Sequence, residues 1–349
     1  MHRLALAALL LTVTVVGCGV AGSATIEAPV TVYVSLPLTG PRGADGRDAA
    51  DGARLALEQV GGKAGSIDIR ARFLDDAKGR SWDPVAVGAN ARQAVQDSSA
   101  AAYVGELDSE PTRASVPITN DAGLVQVSPG AGAVDLTAPA AGYPDSPDRY
   151  RPSGSPNFAR TVPSDAVVVE AAAEWASELG ATQAEVSSDG SAFQDLAVIE
   201  FRSAAAEHGV QVVAGSAARR TGARYDPPTA RLTVEGSPYE LSAELDASRL
   251  PGKGFPGLFR ARFHRPAGPY AAFGHEAMAL VLQAIGGAGT DASSFRDKVR
   301  EGVFGAHRDG TVLGSYAITD DGDTSECMIQ RYRVEGTTRV PLGAPCPTD

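Results

Sequence analysis

One strand–loop–helix–strand segment near the N-terminus most constrains what this chain can fold into. Alternating apolar residues from Val30 to Val34 predict a β-strand. A glycine- and proline-rich loop follows at 38–46. Apolar residues that recur on one helical face from Ala49 to Val60 then predict a helix, which Gly61-Gly62 ends. A second strand closes the segment at Asp75-Asp76, so the order of elements is that of a βα unit in a parallel sheet.

The same alternation continues along the chain. Asp83-Pro84 is a helix start, with Asp as N-cap and Pro in the first turn. Further predicted elements are a strand at 101–105, a helix from Ser109 closed by Gly123, a strand at 124–127, a strand at 158–161, a helix from Ser164 or Asp165 to Gly180, a strand at 184–187, a helix ending at Gly209 and a strand at 210–213. We interpret 133–156 as a surface excursion. Residues 217–231 offer no buried strand, and the pattern breaks there.

The first unit resembles the N-terminal signature of the type I periplasmic-type solute-binding proteins, in particular the branched-chain amino-acid (Leu/Ile/Val) binding family of ABC transporters. The matching residues are Pro37 to Pro41, Gly52 to Ala56, Gly61-Gly62 and Asp75-Asp76. Residues 269–277 resemble the late helix of the family, and 313–318 and 327–334 resemble its closing strands. The resemblance implies an α/β fold with two lobes, each a mostly parallel sheet flanked by helices.

The resemblance also implies how the chain divides. Residues 30–162 with about 255–316 are expected to form lobe one, and 163–254 with about 317–349 are expected to form lobe two. A helix and a strand of the family are expected to be missing near 217–231, which shortens lobe two.

The N-terminus predicts export. Residues 1–17 carry Arg3 and an apolar run from Leu4 to Val16, which is too short to span a bilayer and fits a signal peptide. Gly17-Cys18 resembles a bacterial lipobox, so we expect Cys18 to be acylated and 18–29 to be a flexible tether that anchors the protein outside the cell membrane. A plain signal peptide with an incidental cysteine is the alternative.

The two other cysteines, Cys327 and Cys346, lie near the C-terminus. In an exported chain an even pair is most simply a disulfide, and two free thiols are the alternative.

Charge and motifs exclude several functions. The formal net charge of −11 opposes nucleic-acid binding, which depends on Lys and Arg against phosphates. The chain has no G-x-S-x-G, H-E-x-x-H or G-x-x-x-x-G-K-[ST] motif, and its five histidines have no ligand spacing. We therefore expect no enzyme activity, no cofactor and no metal. Asp75-Asp76 at a strand end are expected to cap and solvate a turn.

Ligands of open α/β sheets bind beyond the carboxyl ends of the strands. Three loops meet that condition in lobe one: 38–46, which contains Thr39, 106–109 and 128–132. A helix start in such a loop offers free N–H groups to a ligand carboxylate, and Ser109 adds a hydroxyl. Ser109 could equally be a simple N-cap, and the two roles are compatible.

The resemblance implies roles for individual residues. Ser109 aligns with a serine that binds the amino-acid carboxylate, and Gly130 and Gly132 fall where a small residue and a threonine hold the amino and carboxylate groups. Phe193 matches a tyrosine that closes over the ligand from lobe two. The acidic partner of the ammonium group falls in the stretch that is expected to be missing, and Glu235, Tyr239 and Glu240 are the candidate substitutes.

These features predict a lipid-anchored solute-binding protein that captures a small polar metabolite, an amino acid first, and delivers it to an ABC permease. The alternative is a degenerate or sensory member of the fold that binds a regulator or a partner protein.

Overall fold

A computed structural model describes residues 25–26, 29–187, 192–213, 222–226, 231–234, 237–242, 246–325, 329–336 and 338–342. The predicted signal peptide, Cys18, most of the tether, Cys327 and Cys346 lie outside these ranges. Lipidation of Cys18 and the disulfide therefore stay predictions.

The first sheet contains six strands in the order β2-β3-β1-β4-β5-β6. All neighbours are parallel except β2 and β3, which form an antiparallel pair. The elements of this half are β1 (Val30–Leu36), α1 (Gly43–Gln59), β2 (Lys63–Ala64), β3 (Ile67–Asp75), α2 (Pro84–Gln96), β4 (Ala100–Val104), α3 (Ser109–Asp121), β5 (Val125–Ser128) and β6 (Phe158–Arg160).

Both faces of this sheet are covered, as repeated βα units require. Val32 and Val34 pack into the cluster that contains Ala49 and Ala53 of α1. Tyr33 points to the opposite face, where it joins a cluster with alanines of α2. The period-2 pattern of β1 therefore places successive side chains in two different cores.

Three helices from the later part of the chain return to the first sheet. They are α6 (Phe255–Phe263), α7 (Ala271–Gly287) and α8 (Phe295–Phe304). α7 packs against α1 through two glycines, because Gly52 lies against the carbonyl of Ala271 and Gly274 against the carbonyl of Ala49. Within the described ranges no helix is both long and apolar enough to cross a membrane.

The second sheet contains seven strands in the order β15-β14-β11-β10-β9-β7-β8. Its elements are α4 (Asp165–Glu178), β7 (Gln183–Val186), α5 (Ala192–Glu207), β8 (Gln211–Val212), β9 (Gly222–Asp226), β10 (Arg231–Val234), β11 (Ser237–Ser242), β14 (Gln330–Glu335) and β15 (Thr338–Pro341). β12 (His307–Arg308) and β13 (Tyr316–Ala317) form a separate antiparallel pair. The α/β class with helix-flanked sheets is confirmed.

The second sheet departs from the expected mostly parallel arrangement. β7 pairs in parallel with β8 and β9, but β9, β10, β11, β14 and β15 form a continuous antiparallel ladder. Only residues 213–221 connect β8 to β9, fewer than the dozen or so that a helical crossover normally uses. β9, β10 and β11 then follow one another through short connections, and β14 joins β11 only after the chain has returned from the three helices on the first sheet.

The expectation that 217–231 holds no buried strand was wrong. β9 lies inside that range, and its Ala223 and Tyr225 are buried while Arg224 between them is exposed. Tyr225 stacks on Phe201 of α5, with ring centroids 4.8 Å apart. A strand with two inward residues is too short to stand out in a polar sequence, and its burial comes from α5.

The interpretation of 133–156 as a surface excursion was also wrong in part. Leu136 and Tyr150 are buried and pack with Val116 of α3. The segment therefore packs over α3 and β6 on one side of the first sheet.

We expect Gly52→Ala to destabilise the protein, because the added methyl group meets the Ala271 carbonyl at the α1–α7 contact. Overpacking of this kind typically lowers the free energy of unfolding by about 1–3 kcal/mol. Gly257→Ala in α6 is the matched control, since open space surrounds that position and alanine favours a helix interior by about 0.5–1 kcal/mol. Urea denaturation measures both, and equal stability of the two variants would contradict the packing argument.

Candidate functional site

The carboxyl edge of the first sheet gathers the loops that follow β1, β3, β4 and β5. Asp75 joins the first two loops, because its carboxylate accepts from the Thr39 hydroxyl at 2.7 Å and from the Leu38 N–H at 2.9 Å. Although partial burial opposes the charge, these bonds and those from the N–H groups of Ala77 and Lys78 hold the pKa of Asp75 below its usual value. Asp75 therefore caps the turn as expected, and Thr39 serves this network.

Ser109 lies at the first position of α3, and its hydroxyl accepts from the Ala133 N–H at 3.1 Å. It therefore joins the loop after β4 to the loop after β5. A second serine adds to this connection, since Ser128 donates to the Glu106 carbonyl at 2.6 Å and accepts from the N–H groups of Gly130 and Ala131. Ser109, Gly130 and Gly132 are thus brought together at one place on the edge, as their positions in the sequence predicted.

Close packing explains both glycines at this place. A Cβ at 130 would collide with the Leu107 carbonyl, and a Cβ at 132 would collide with the Asp165 carboxylate. The Asp165 N–H also donates to the Gly132 carbonyl at 2.7 Å. Asp165 opens α4, so the helix that leads to the second sheet lies directly against the loop after β5.

A charged cluster that the sequence did not reveal connects the loop after β1 to the loop after β4. Arg42 donates to Asp45 at 2.6 Å and to Asp108 at 2.9 and 3.3 Å, and it lies 3.3 Å from the Tyr270 hydroxyl. Burial opposes the charge of Arg42, but Asp108 and Tyr270 outweigh it and raise its pKa. Two carboxylates around one guanidinium leave this part of the edge net negative. Asp108 and Tyr270 are far from Arg42 in sequence, so no local pattern indicates that they meet it.

Arg160 at the end of β6 is fully buried and holds the third loop in place. Its guanidinium donates to the carbonyls of Ala131 and Ala133 at 3.1 and 2.8 Å and also to the Thr137 hydroxyl. Its Nε donates to the Asp323 carboxylate at 2.7 Å. Asp323 lies between β13 and β14, in the segment that leads back to the second sheet. One cation therefore connects the loop after β5 to the segment that joins the two sheets between β13 and β14.

A second ion pair supports the same loop. Arg113 of α3 donates to Asp135 at 2.6 and 2.8 Å, and the Tyr150 hydroxyl donates to the same carboxylate at 2.6 Å. Asp135 is fully buried, so these bonds are what keeps its charge acceptable in the interior.

Helices α4 and α5 contribute carboxylates near this region. Burial raises the pKa of Asp165, against the lowering influence of Arg160 and Arg113. Burial also raises the pKa of Glu200 in α5 to about 7, with added repulsion from Asp165 and Asp135. No local pattern predicts that these two carboxylates lie close together, because they belong to different helices.

Of the other ligand residues predicted for lobe two, only Tyr239 has a described side chain. Phe193 lies in the first turn of α5, but its side chain is outside the described residues, as are Glu235 and the side chain of Glu240. Tyr239 packs edge-on against Trp175 at 5.1 Å between ring centroids, within the core of the second sheet. Tyr239 is therefore a core residue here.

Asp76 was expected to be solvated and is instead fully buried, together with Glu106 of the next loop. The two carboxyl groups lie beneath the ligand loops, at the ends of β3 and β4.

Two cavities lie away from this edge. One of about 450 Å³ is at the amino edge of the first sheet, beside Ser99 and Arg296. Another of about 640 Å³ is beside α1 and α7, near Gln59 and His275. Neither includes a residue of the ligand loops.

Comparison with known proteins gives a consistent result. The family model described as periplasmic binding protein matches residues 29–233. No curated protein matches the sequence.

Solved structures resemble most of the chain at low sequence identity. An ABC transporter substrate-binding protein from Desulfitobacterium hafniense in complex with Leu has a TM-score of 0.72 at 17% identity, covering 90% of this chain and 100% of that chain. The leucine-binding protein LivK of Thermotoga maritima has a TM-score of 0.69 at 17% identity, covering 91% and 99%. A solute-binding protein of an ABC transporter from R. palustris in complex with benzoate has a TM-score of 0.68 at 16% identity, covering 92% and 98%.

We expect Arg160→Met to destabilise the protein strongly, because it leaves Asp323 and two buried carbonyls without their donor. Loss of one partner of a buried ion pair typically lowers the free energy of unfolding by about 3–5 kcal/mol. Arg262→Met is the control, since its pair with Glu58 is exposed and such pairs contribute about 1 kcal/mol or less. Urea denaturation of both variants tests this, and similar losses at the two positions would refute the assigned role of Arg160.

Proposed function

Because the chain belongs to the periplasmic binding protein family, we propose that it is the solute-binding component of an ABC importer and captures a small polar metabolite. Members of this family bind and do not convert their ligands. The observation that carries the proposal is the meeting of Ser109, Gly130 and Gly132 at the carboxyl edge of the first sheet, with α4 of the second lobe against it.

A carboxylate is the ligand group that this edge fits best. The first N–H groups of α3, those of Ser109 and Glu110, have no acceptor earlier in the helix, and the helix dipole favours an anion there. Ser109 can donate its hydroxyl proton while accepting from Ala133. Leucine and benzoate, the ligands of two of the similar structures, both carry a carboxylate. We therefore place amino acids first and aromatic carboxylates second among the solutes.

The proposed mechanism is hinge closure, with 30–162 and about 255–316 moving as lobe one and 163–254 and about 317–349 as lobe two. Closure would bring Phe193 over a solute held by Ser109 and the backbone at Gly130 and Gly132. Thr39 would support the site through Asp75 rather than through contact. The closed form would then present both lobes to the permease.

We expect at least one carboxylate solute in a screen of amino acids and benzoates to raise the unfolding temperature in a concentration-dependent way, since ligand binding stabilises by RT ln(1 + [L]/Kd). Ser109→Ala should weaken that solute about tenfold or more, because a hydrogen bond to a charged group contributes about 1.5–3 kcal/mol. Ser155→Ala, at an exposed position, is the control. Thermal shift measures the change in unfolding temperature, and titration calorimetry measures the affinity of each variant for the solute.

A screen without any stabilising solute would instead favour a sensory member of the fold that binds a regulator or a partner protein. Retained affinity in Ser109→Ala would limit that serine to its role as a bridge between loops.

We also propose that Cys18 carries the lipid and that 18–29 is the tether. In a bacterial host, the wild-type protein should sediment with membranes and incorporate labelled fatty acid, and Cys18→Ser should lose both. Cys327→Ser is the control, because that residue has no place in the anchor. Membrane association of Cys18→Ser would show that a plain signal peptide or another attachment is at work.

A further inference from the structure

Two carboxyl groups are enclosed beneath the ligand loops. Asp76 directly follows β3 and Glu106 lies two residues after β4, and these strands flank β1 on either side. Both residues have no solvent-exposed surface. At the carboxyl edge of the first sheet their side chains reach across the end of β1 to within hydrogen-bonding range of each other.

The pair has almost no hydrogen-bond donors. One oxygen of Glu106 accepts from the Tyr103 hydroxyl at 2.6 Å. The other oxygen of Glu106 and both oxygens of Asp76 have no partner among the described residues. Two ionised carboxylates in such a place would carry a large desolvation cost and would repel each other.

The groups that face the pair offer no positive charge in the described part of the chain. Asp75 of β3 and Asp108 of the next loop add repulsion to Asp76, and Tyr103 and Ser35 face Glu106. Burial raises the pKa of Asp76 to about 6. Burial, and then the neighbouring Asp76, raise the pKa of Glu106 well above its usual value.

We propose that Asp76 and Glu106 share one proton at neutral pH and act as a pH-sensitive latch under the ligand loops. The shared proton forms an O–H···O bond between the two carboxyl groups. When it leaves to solvent, two adjacent carboxylates remain, and the edge is pushed apart. Protonation therefore favours the ordered edge, and alkaline pH weakens it.

Covalent and hydrogen-bonded links transmit this change to the predicted ligand residues. The carbonyl of Glu106 accepts from Ser128, which holds the N–H groups of Gly130 and Ala131. Two residues further along, Asp108 pairs with Arg42 of the first loop. The effect on solute affinity rests on the proposed function, but the effect on stability does not.

The direction of the pH dependence follows from the raised pKa values. Unfolded Asp and Glu lose their protons near pH 3.9 and 4.3, whereas the folded pair keeps its proton to higher pH. The stabilisation by this pair is therefore complete below about pH 4 and is lost as pH rises through about 6 and above. A shift from 3.8 to about 6 corresponds to roughly a hundredfold fall in the folding equilibrium constant.

The test compares urea denaturation of the mature wild-type protein, Asp76→Asn and Glu106→Gln between pH 4 and 9 at constant ionic strength. An amide in place of either acid cannot ionise, so the folding equilibrium constant of each variant should fall less with rising pH than that of the wild type. For Asp76→Asn the difference should be roughly a hundredfold. Asp121→Asn, at an exposed position at the end of α3, should keep the wild-type profile. A variant profile identical to that of Asp121→Asn overturns the proposal.

Carbon-13 NMR of the side-chain carboxyls gives a second measurement on the wild type alone, which decides the matter if a variant fails to fold. Two coupled resonances that titrate above pH 5, one lost in each folded variant, support the shared proton. All carboxyls titrating below pH 5 would overturn it. So would stabilisation of the wild type at pH 8 by Na⁺, K⁺ or Ca²⁺ that Asp76→Asn abolishes, because a cation would then hold the pair.

Discussion

The buried guanidinium of Arg160 is the interaction on which the arrangement of the site depends. A fully buried cation is tolerated only when its donors are satisfied and its charge is paired. Arg160 meets both demands with groups from two places: the connection from β5 to β6, which supplies two carbonyls and the Thr137 hydroxyl, and Asp323. The loop after β5 can therefore not change shape without disturbing the segment around Asp323, which joins the two sheets. The same residue ends β6, from which the chain leaves the first sheet for α4 and the second sheet.

Local signals in the sequence predicted much of the first lobe. Asp83 accepts from the Ala86 N–H at the start of α2, and Ser164 from the Val167 N–H at the start of α4, as their positions before helical patterns indicated. The family resemblance and the α/β fold class are confirmed by the family match and the similar structures. Such features depend on residues within a few positions of one another, which is why a single sequence contains them.

The features that the sequence did not reveal depend on distant partners. Asp75 and Asp76 are neighbours of the same type, yet one caps a turn and the other is buried against Glu106. β9 is a strand because β7 and α5 bury it, and the Arg42 cluster exists because Asp108 and Tyr270 come to it through the fold. The predicted division into lobes and the predicted ligand residues stay predictions.

Gly132 shows how a departure from the family pattern can be compensated. In the resemblance, a threonine at this position supplies a hydroxyl from lobe one, and its replacement by glycine is a loss. In the structure, the Asp165 carboxylate occupies the space that a side chain at 132 would need, so the two cannot coexist. The polar group beside this point is the Asp165 carboxylate, from the first turn of α4. Glycine is required here because the neighbouring helix leaves no room for a side chain.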